Sequence, residues 1–95
     1  MEHVTVVGAG GIGCAVGYAL RAAGVGVTFV EANPAKVAAG RRDGVRVDAR
    51  PPLAAAFISF TEWTPAAGAT VLLCVKCYDN AAALAKLPAG VNLIP

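Results

Sequence analysis

A glycine-rich segment near the start of the chain, GAGGIG at residues 8–13, restricts the fold more than any other feature. It follows a short β-branched run, His3–Val7, and precedes a segment with helical periodicity. A strand that turns on glycines into a helix is typical of a phosphate-binding βα unit. The residues expected to form this binding turn are Gly8, Ala9, Gly10, Gly11, Ile12 and Gly13.

Each glycine of the GxGxxG pattern has a separate physical role. We expect Gly8 to permit the tight turn, Gly10 to let the backbone approach a pyrophosphate, and Gly13 to let the helix pack closely on the strand. The alternative is a tight βα turn that binds nothing. The preceding strand, the following helix and an acidic residue after the next strand favour the binding turn.

The rest of the chain alternates strand-like and helical patterns. Apolar residues in the first helix recur with helical spacing and predict a core-facing stripe, and Gly24 is placed to end that helix. The stripe comprises Ile12, Ala15, Val16, Ala19, Leu20 and Ala23. Further strands are predicted at Val25–Val30, Val45–Val47, Ala56–Phe60, Thr70–Val75 and Val91–Ile94, and further helices at Pro34–Gly40 and Asp79–Leu87.

This alternation predicts an α/β fold, a Rossmann-type open parallel sheet with helices on both faces. The chain stops at Pro95, directly after a hydrophobic strand. We therefore expect residues 1–95 to be the N-terminal part of a dinucleotide-binding domain, truncated, with a C-terminal substrate-binding and catalytic domain absent from this chain.

Glu31 ends the second predicted strand, close to the roughly 20-residue spacing at which an acidic residue binds the adenosine ribose in NAD-binding folds. Its carboxylate would repel the 2′-phosphate of NADP, so it favours NAD. The alternative is a solvated carboxylate at a strand end. Arg41 and Arg42 introduce a second possibility, since either could neutralise Glu31 and accept a phosphate, although solvated charges at a helix end are the simpler interpretation.

Lys76 directly follows the apolar run TVLLCV, at the carboxyl end of a predicted central strand. Open α/β sheets bind ligands at that edge, so we expect Lys76 to contact the cofactor or the substrate rather than only solvent.

The three cysteines, Cys14, Cys74 and Cys77, lie in apolar segments. They predict buried thiols, with neither a disulfide framework nor a metal site.

Composition excludes several classes of function. The chain is 57% hydrophobic with a net charge of +2. It lacks the clustered basic face typical of nucleic-acid binding, and its apolar stretches are too short for a membrane span. We expect a cytoplasmic protein without nucleic-acid or membrane partners, and the hydrophobic last strand would permit a homodimer through an exposed sheet edge.

Two segments together resemble a known family. VTVVGAGGIGCAVGYALRAAGVGVTFVE, followed at the proper distance by VLLCVKCYDN, is similar to ketopantoate reductase, also called 2-dehydropantoate 2-reductase. The resemblance implies NADP-dependent reduction of a 2-oxo acid, ketopantoate to pantoate, on the route to pantothenate and coenzyme A. It matches Gly8, Gly10 and Gly13 to the phosphate-binding turn and Lys76 to a lysine beside the nicotinamide.

The resemblance also implies that the catalytic residues belong to a helical C-terminal domain, so this chain should contain none and should not catalyse the reaction alone. Family members usually carry an arginine just after the second strand to bind the 2′-phosphate. Here Glu31, Ala32 and Asn33 stand in its place, which leaves room for an NAD-dependent 2-hydroxy acid dehydrogenase. A non-catalytic nucleotide-binding or sensing module is the other alternative.

Overall fold

The computed structural model describes residues 3–8, 10–65, 68–73 and 92–94. Five strands and two helices lie within these ranges. In chain order they are β1 (His3–Val7), α1 (Gly11–Ala22), β2 (Gly26–Glu31), α2 (Pro34–Asp43), β3 (Ala56–Ser59), β4 (Thr70–Leu73) and β5 (Asn92–Ile94).

The strands form one parallel sheet in the order β3-β2-β1-β4-β5. This order is that of a Rossmann fold, and it confirms the predicted fold class. The chain moves outward from β1 through β2 to β3 and then returns to place β4 on the other side of β1. The reversal creates a crevice outside the carboxyl ends of β1 and β4, where open α/β sheets bind ligands.

Alternate residues of the central strands face two separate cores, as a period of two requires. On one face, Val6 and Phe29 pack with Tyr18 of α1 and Val37 of α2. The core of the opposite face is smaller and consists of Val7, Val30, Val71 and Trp63. Tyr18 and Trp63 are thus packing residues, and the Tyr18 hydroxyl donates to the Pro51 carbonyl at 2.6 Å.

Two glycines let the helices approach the sheet closely. A Cβ at Gly17 of α1 would overlap the Phe29 ring, and one at Gly40 of α2 would overlap the Phe57 ring. The two rings stack with centroids 4.8 Å apart. The absence of side chains at these positions therefore makes room for an aromatic pair between the helices and the sheet.

The predicted apolar stripe on α1 is wrong for most of its residues, and of the six only Leu20 is known to pack against the core. The buried residues of the helix are Gly13, Gly17 and Tyr18, while Ile12 is 75% exposed and Val16 is 37% exposed. Ala15, Ala19 and Ala23 are exposed too. The glycine face packs on the sheet because it permits a shorter helix-to-sheet distance than the alanine and valine face does. The helix ends as predicted, with Gly24 at a φ of +88° just after the C-cap Ala23.

The predicted strand at Val45–Val47 is also wrong. Gly44, at a φ of +78°, ends α2 and turns the chain. Val45 then forms an isolated antiparallel bridge with Leu53, and the third strand of the sheet is β3. The helix α2 continues past the predicted Gly40 to Asp43. The predicted helix at Asp79–Leu87 lies outside the described residues.

Within the described ranges, neither helix is long and apolar enough to span a membrane. The same ranges contain no cluster of three or more histidine, cysteine or acidic side chains suited to a metal ion.

Candidate functional site

Gly8 forms the tight turn that follows β1. Its φ of +101° lies in the left-handed region that residues with a Cβ rarely adopt. Its N–H donates to the Val30 carbonyl at 2.8 Å, which ties the turn to the neighbouring strand. The predicted role of Gly8 therefore has a conformational basis. Ala9, the next predicted site residue, lies outside the described residues.

Gly10 is the N-cap of α1 and has an extended backbone, with φ −80° and ψ −168°. Its carbonyl accepts the first helical bond, from Cys14 N–H at 2.8 Å. A Cβ at either Gly10 or Gly11 would have no atom of the described residues within 4 Å. Within the described ranges, these two glycines are therefore needed neither for backbone conformation nor for packing, and no described atom fills the space beside them.

The start of α1 is electrostatically suited to an anion. No side chain of the described residues caps the helix, and its first turn contains no acidic residue. The first N–H groups of a helix have no acceptor within the helix, and the helix dipole places partial positive charge there. A pyrophosphate in the open space beside Gly10 and Gly11 would accept hydrogen bonds from these groups. The residues present therefore fit the phosphates of a dinucleotide.

The last two residues of the glycine pattern differ in environment. Gly13 is buried, consistent with the close packing predicted for it. Ile12, the second residue of the helix, is largely exposed.

Glu31 lies one residue beyond Val30, which pairs in register with Val7, so its carboxylate is at the same sheet edge as the glycine turn. Its Oε2 accepts from Asn33 N–H at 2.7 Å. The Asn33 side chain in turn caps α2 by accepting from Ala35 N–H at 2.9 Å. The loop thus holds the Glu31 carboxylate in place at the strand end.

An open cleft of about 400 Å³ adjoins the glycine turn. Its walls come from the start of α1, from α2 and from the loop after α2. The lining residues are Gly10, Gly11, Cys14, Lys36, Arg46, Val47 and Asp48. The sequence analysis did not identify Lys36 or Arg46 as residues of this cleft. Arg46 reaches the cleft only because the chain turns at Gly44.

The pKa of the Cys14 thiol is affected by two charged side chains near this cleft. Partial burial raises its pKa, the Lys36 ammonium lowers that pKa, and the Glu31 carboxylate raises it. Both charged groups therefore act electrostatically on a side chain near the start of α1.

Arg41 and Arg42 do not line this cleft. The Arg41 Nε donates to the Phe57 carbonyl at 3.0 Å. Arg42 pairs with Asp43 at 2.9 Å and is exposed, at the end of α2 far from Asn33. Both contacts agree with the interpretation of these arginines as helix-end charges rather than partners of Glu31.

Lys76, Cys74 and Cys77 lie outside the described residues, so their predicted positions stay predictions. The described part of β4 ends at Leu73 and runs parallel to β1, with Val7 paired to Leu73. The described part of β4 is therefore directed toward the same sheet edge as the glycine turn.

Comparisons with known proteins agree with this architecture. The sequence model described as Ketopantoate reductase PanE/ApbA matches residues 4–92. The chain belongs to the ketopantoate reductase family. This finding confirms the resemblance drawn from the glycine turn and the VLLCVKCYDN segment. No curated protein matches the sequence significantly.

A solved structure supports the fold. The chain is similar to the crystal structure named "Putative 2-Dehydropantoate 2-Reductase from Enterococcus faecalis", with a TM-score of 0.80 and 20% sequence identity. The similarity covers 98% of this chain and 32% of that chain. The chain thus spans about a third of the length of the protein that it resembles.

Proposed function

We propose that this chain binds the pyrophosphate of a nicotinamide dinucleotide at the start of α1, as the cofactor-binding part of an oxidoreductase. The observation that carries the proposal is the open, uncapped helix start at Gly10 and Gly11, beside the carboxyl ends of the central strands. Ala9, Ile12, Gly13, Glu31 and Lys76 complete the proposed cofactor site, with the glycine at position 8 setting the turn.

Each described residue has a distinct proposed task. The first N–H groups of α1 hold the pyrophosphate, and Ile12 provides an apolar contact beside it. Glu31 accepts hydrogen bonds from the ribose hydroxyls of the adenosine half, with its carboxylate held by Asn33 N–H. Lys76 contacts the cofactor or the substrate at the carboxyl edge of the sheet.

Membership of the family supports a proposal for the reaction of the whole protein. We propose the reduction of a 2-oxo acid, ketopantoate to pantoate, in which the cofactor supplies a hydride. The family uses NADP(H) in general. The proton donor and the groups that bind the 2-oxo acid belong to a further domain in this proposal, so residues 1–95 alone would hold cofactor without turnover.

Calorimetric titration of the chain with NADPH and NADH tests the binding proposal. Saturable binding of either nucleotide at one site per chain is expected. Absence of binding to both would contradict it. Incubating the full-length gene product with ketopantoate and NADPH tests the reaction, and loss of the reduced-nicotinamide absorbance is the expected result.

Glu31 provides a prediction about cofactor choice. Because its carboxylate accepts ribose hydroxyls and repels a 2′-phosphate, Glu31→Gln should raise the affinity for NADPH relative to NADH by about tenfold, a typical effect of one charged hydrogen bond. Glutamine keeps an oxygen for Asn33 N–H. Parallel calorimetric titrations of both nucleotides measure the ratio.

Glu62→Gln is the charge-matched control, since Glu62 is exposed and follows β3 at the same edge of the sheet. Glu62→Gln should change the ratio of the affinities for NADPH and NADH much less than Glu31→Gln does. An equal change in the two variants would mean that Glu31 acts only through long-range charge and does not contact the ribose.

A further inference from the structure

The segment after α2 forms a hairpin that belongs neither to the sheet nor to a helix. Val45 and Leu53 pair antiparallel at its base and exchange two backbone hydrogen bonds, of 2.8 and 3.0 Å. Between them the chain reverses in a turn, in which the Arg50 N–H donates to the Val47 carbonyl at 3.1 Å. We call residues 45–53 the hairpin. Because it adds no strand to the sheet, contacts with other elements set its orientation.

The two arms of the hairpin face different parts of the molecule. The outgoing arm contributes Arg46, Val47 and Asp48 to the wall of the cleft beside the start of α1. The base of the hairpin packs on the core of the same face of the sheet. The returning arm lies against α1, to which it is hydrogen bonded. A shift of the hairpin relative to α1 would therefore change the shape of the cleft.

Tyr18 of α1 holds the returning arm. Its hydroxyl donates to the Pro51 carbonyl at 2.6 Å, across 33 positions of the sequence. The ring is 7% exposed and packs in the core. The Arg50 guanidinium lies over this ring, 6.0 Å from its centroid, at a distance suited to a cation–π contact. A buried tyrosine can pack through its ring and bind one polar group through its hydroxyl, so Tyr18 fixes the returning arm at a defined point.

Arg21 provides a second tie between α1 and this segment. Its Nε donates to the carbonyl of Ala54, directly after the hairpin, at 2.8 Å, and its Nη1 donates to the Val25 carbonyl at 3.2 Å. Tyr18 and Arg21 are three residues apart, so they lie on the same side of the helix. The helix thus carries two ties on its side and the proposed phosphate site at its start.

The turn of the hairpin includes an unusual backbone conformation. Asp48 has a φ of +48°, the one positive value among the described residues other than glycine. Residues with a Cβ adopt this region at a cost, and aspartate is among those that tolerate it best. Such a conformation persists where the surrounding structure holds it. The wall of the cleft therefore includes a residue whose conformation depends on support from the rest of the hairpin.

We infer that Tyr18 is a positioning residue for the nucleotide site, because its hydroxyl holds the hairpin in the orientation in which residues 46–48 form one wall of the cleft. The inference rests on the proposed dinucleotide function. Tyr18 acts through the hairpin and does not itself touch the nucleotide. A wall that is in place before binding need not be ordered when the ligand arrives, which raises the affinity. Without the tie, only the fraction of molecules with a correctly placed hairpin is competent to bind.

Tyr18→Phe tests the inference, since it removes the hydroxyl and keeps the buried ring. Its affinity for NADPH, measured by calorimetry, should be lower than that of the wild type by about threefold to tenfold, as expected for the loss of one hydrogen bond. Backbone order parameters from nitrogen relaxation should fall at the amides of Val47 and Arg50 and stay unchanged at Val6 in β1. A purely structural role would lower the melting temperature without this local change.

Arg21→Gln and Arg41→Gln form a matched pair that tests the same inference with Tyr18 intact. Each removes one positive charge and one hydrogen bond from an arginine Nε to a backbone carbonyl. The acceptor of Arg21 is Ala54, directly after the hairpin, whereas the acceptor of Arg41 is Phe57 of β3. Arg21→Gln should weaken NADPH binding by about threefold, the effect of a modest hydrogen bond, and Arg41→Gln should bind like the wild type.

The outcomes separate the two proposals. Wild-type affinity for NADPH in both Tyr18→Phe and Arg21→Gln would overturn the positioning role and leave the dinucleotide function standing. An equal loss of affinity in Arg21→Gln and Arg41→Gln would overturn it too, because the loss would then come from charge alone. If a thermal melt shows that Tyr18→Phe does not fold, the arginine pair decides. Failure of the wild type to bind NADPH or NADH would overturn both proposals.

Discussion

Gly10→Val should abolish nucleotide binding while the fold survives. Gly10 has an extended backbone that valine adopts readily, and a Cβ there meets no atom of the described part of the chain within 4 Å. The branched side chain would instead fill the space in which the pyrophosphate approaches the helix start. Loss of two charge-assisted hydrogen bonds corresponds to at least about 3 kcal/mol, or more than about a hundredfold in affinity. Calorimetric titration with NADPH measures the loss.

Ala15→Val is the control for Gly10→Val, because Ala15 is an exposed residue of the same helix. It should bind NADPH like the wild type. The thermal unfolding midpoint of the Gly10 variant should stay close to that of the control. Wild-type affinity in a folded Gly10→Val chain would show that the phosphates bind elsewhere.

Gly17→Val should strongly destabilise the chain, in contrast to the change at Gly10. The Phe29 ring occupies the position of a Cβ at Gly17, is fully buried and stacks on Phe57. The ring can therefore move only by displacing the core. Overpacking of this kind costs about 1 to 3 kcal/mol, a large part of the stability of a small domain. Urea unfolding monitored by circular dichroism measures it.

Ala19→Val tests whether the effect at Gly17 arises from valine itself. Ala19 is exposed on the same helix, so this change should cost only the few tenths of a kcal/mol that separate the helix propensities of the two residues. A double-mutant cycle of Gly17→Val with Phe29→Leu should show a favourable coupling, because leucine removes the ring that the valine meets. If the changes in unfolding free energy of the two single variants simply add in the double variant, the close packing of α1 on β2 would be contradicted.

Gly10 and Gly17 show which features of the structure the sequence predicts and which it does not. The glycine pattern correctly placed the turn after β1 and the start of α1, since both depend on local backbone conformation. It did not show which face of α1 is buried. Periodicity favoured the alanine and valine face, whereas the glycine face is the one that fits against Phe29.

The same distinction applies to the candidate site. Gly8, Gly10 and Glu31 follow from short-range spacing, because each directly follows or caps an element that the sequence identifies. Lys36 and Arg46 depend on how α2 and the following loop fold back across the start of α1. Val45 shows why such contacts are hard to predict from the sequence. The β-branched run that contains Val45 predicts a strand of the sheet, but Val45 forms a local bridge with Leu53 after the turn at Gly44.

An amide chemical-shift titration of the isotope-labelled chain with NADPH tests the central claim most directly. If the phosphates bind at the start of α1, the largest shifts should occur at the amides of Gly10, Gly11 and Ile12, and should saturate with increasing nucleotide. Shifts that are absent at these amides, or that occur mainly at residues remote from the carboxyl edge of the sheet, would contradict the proposed binding site.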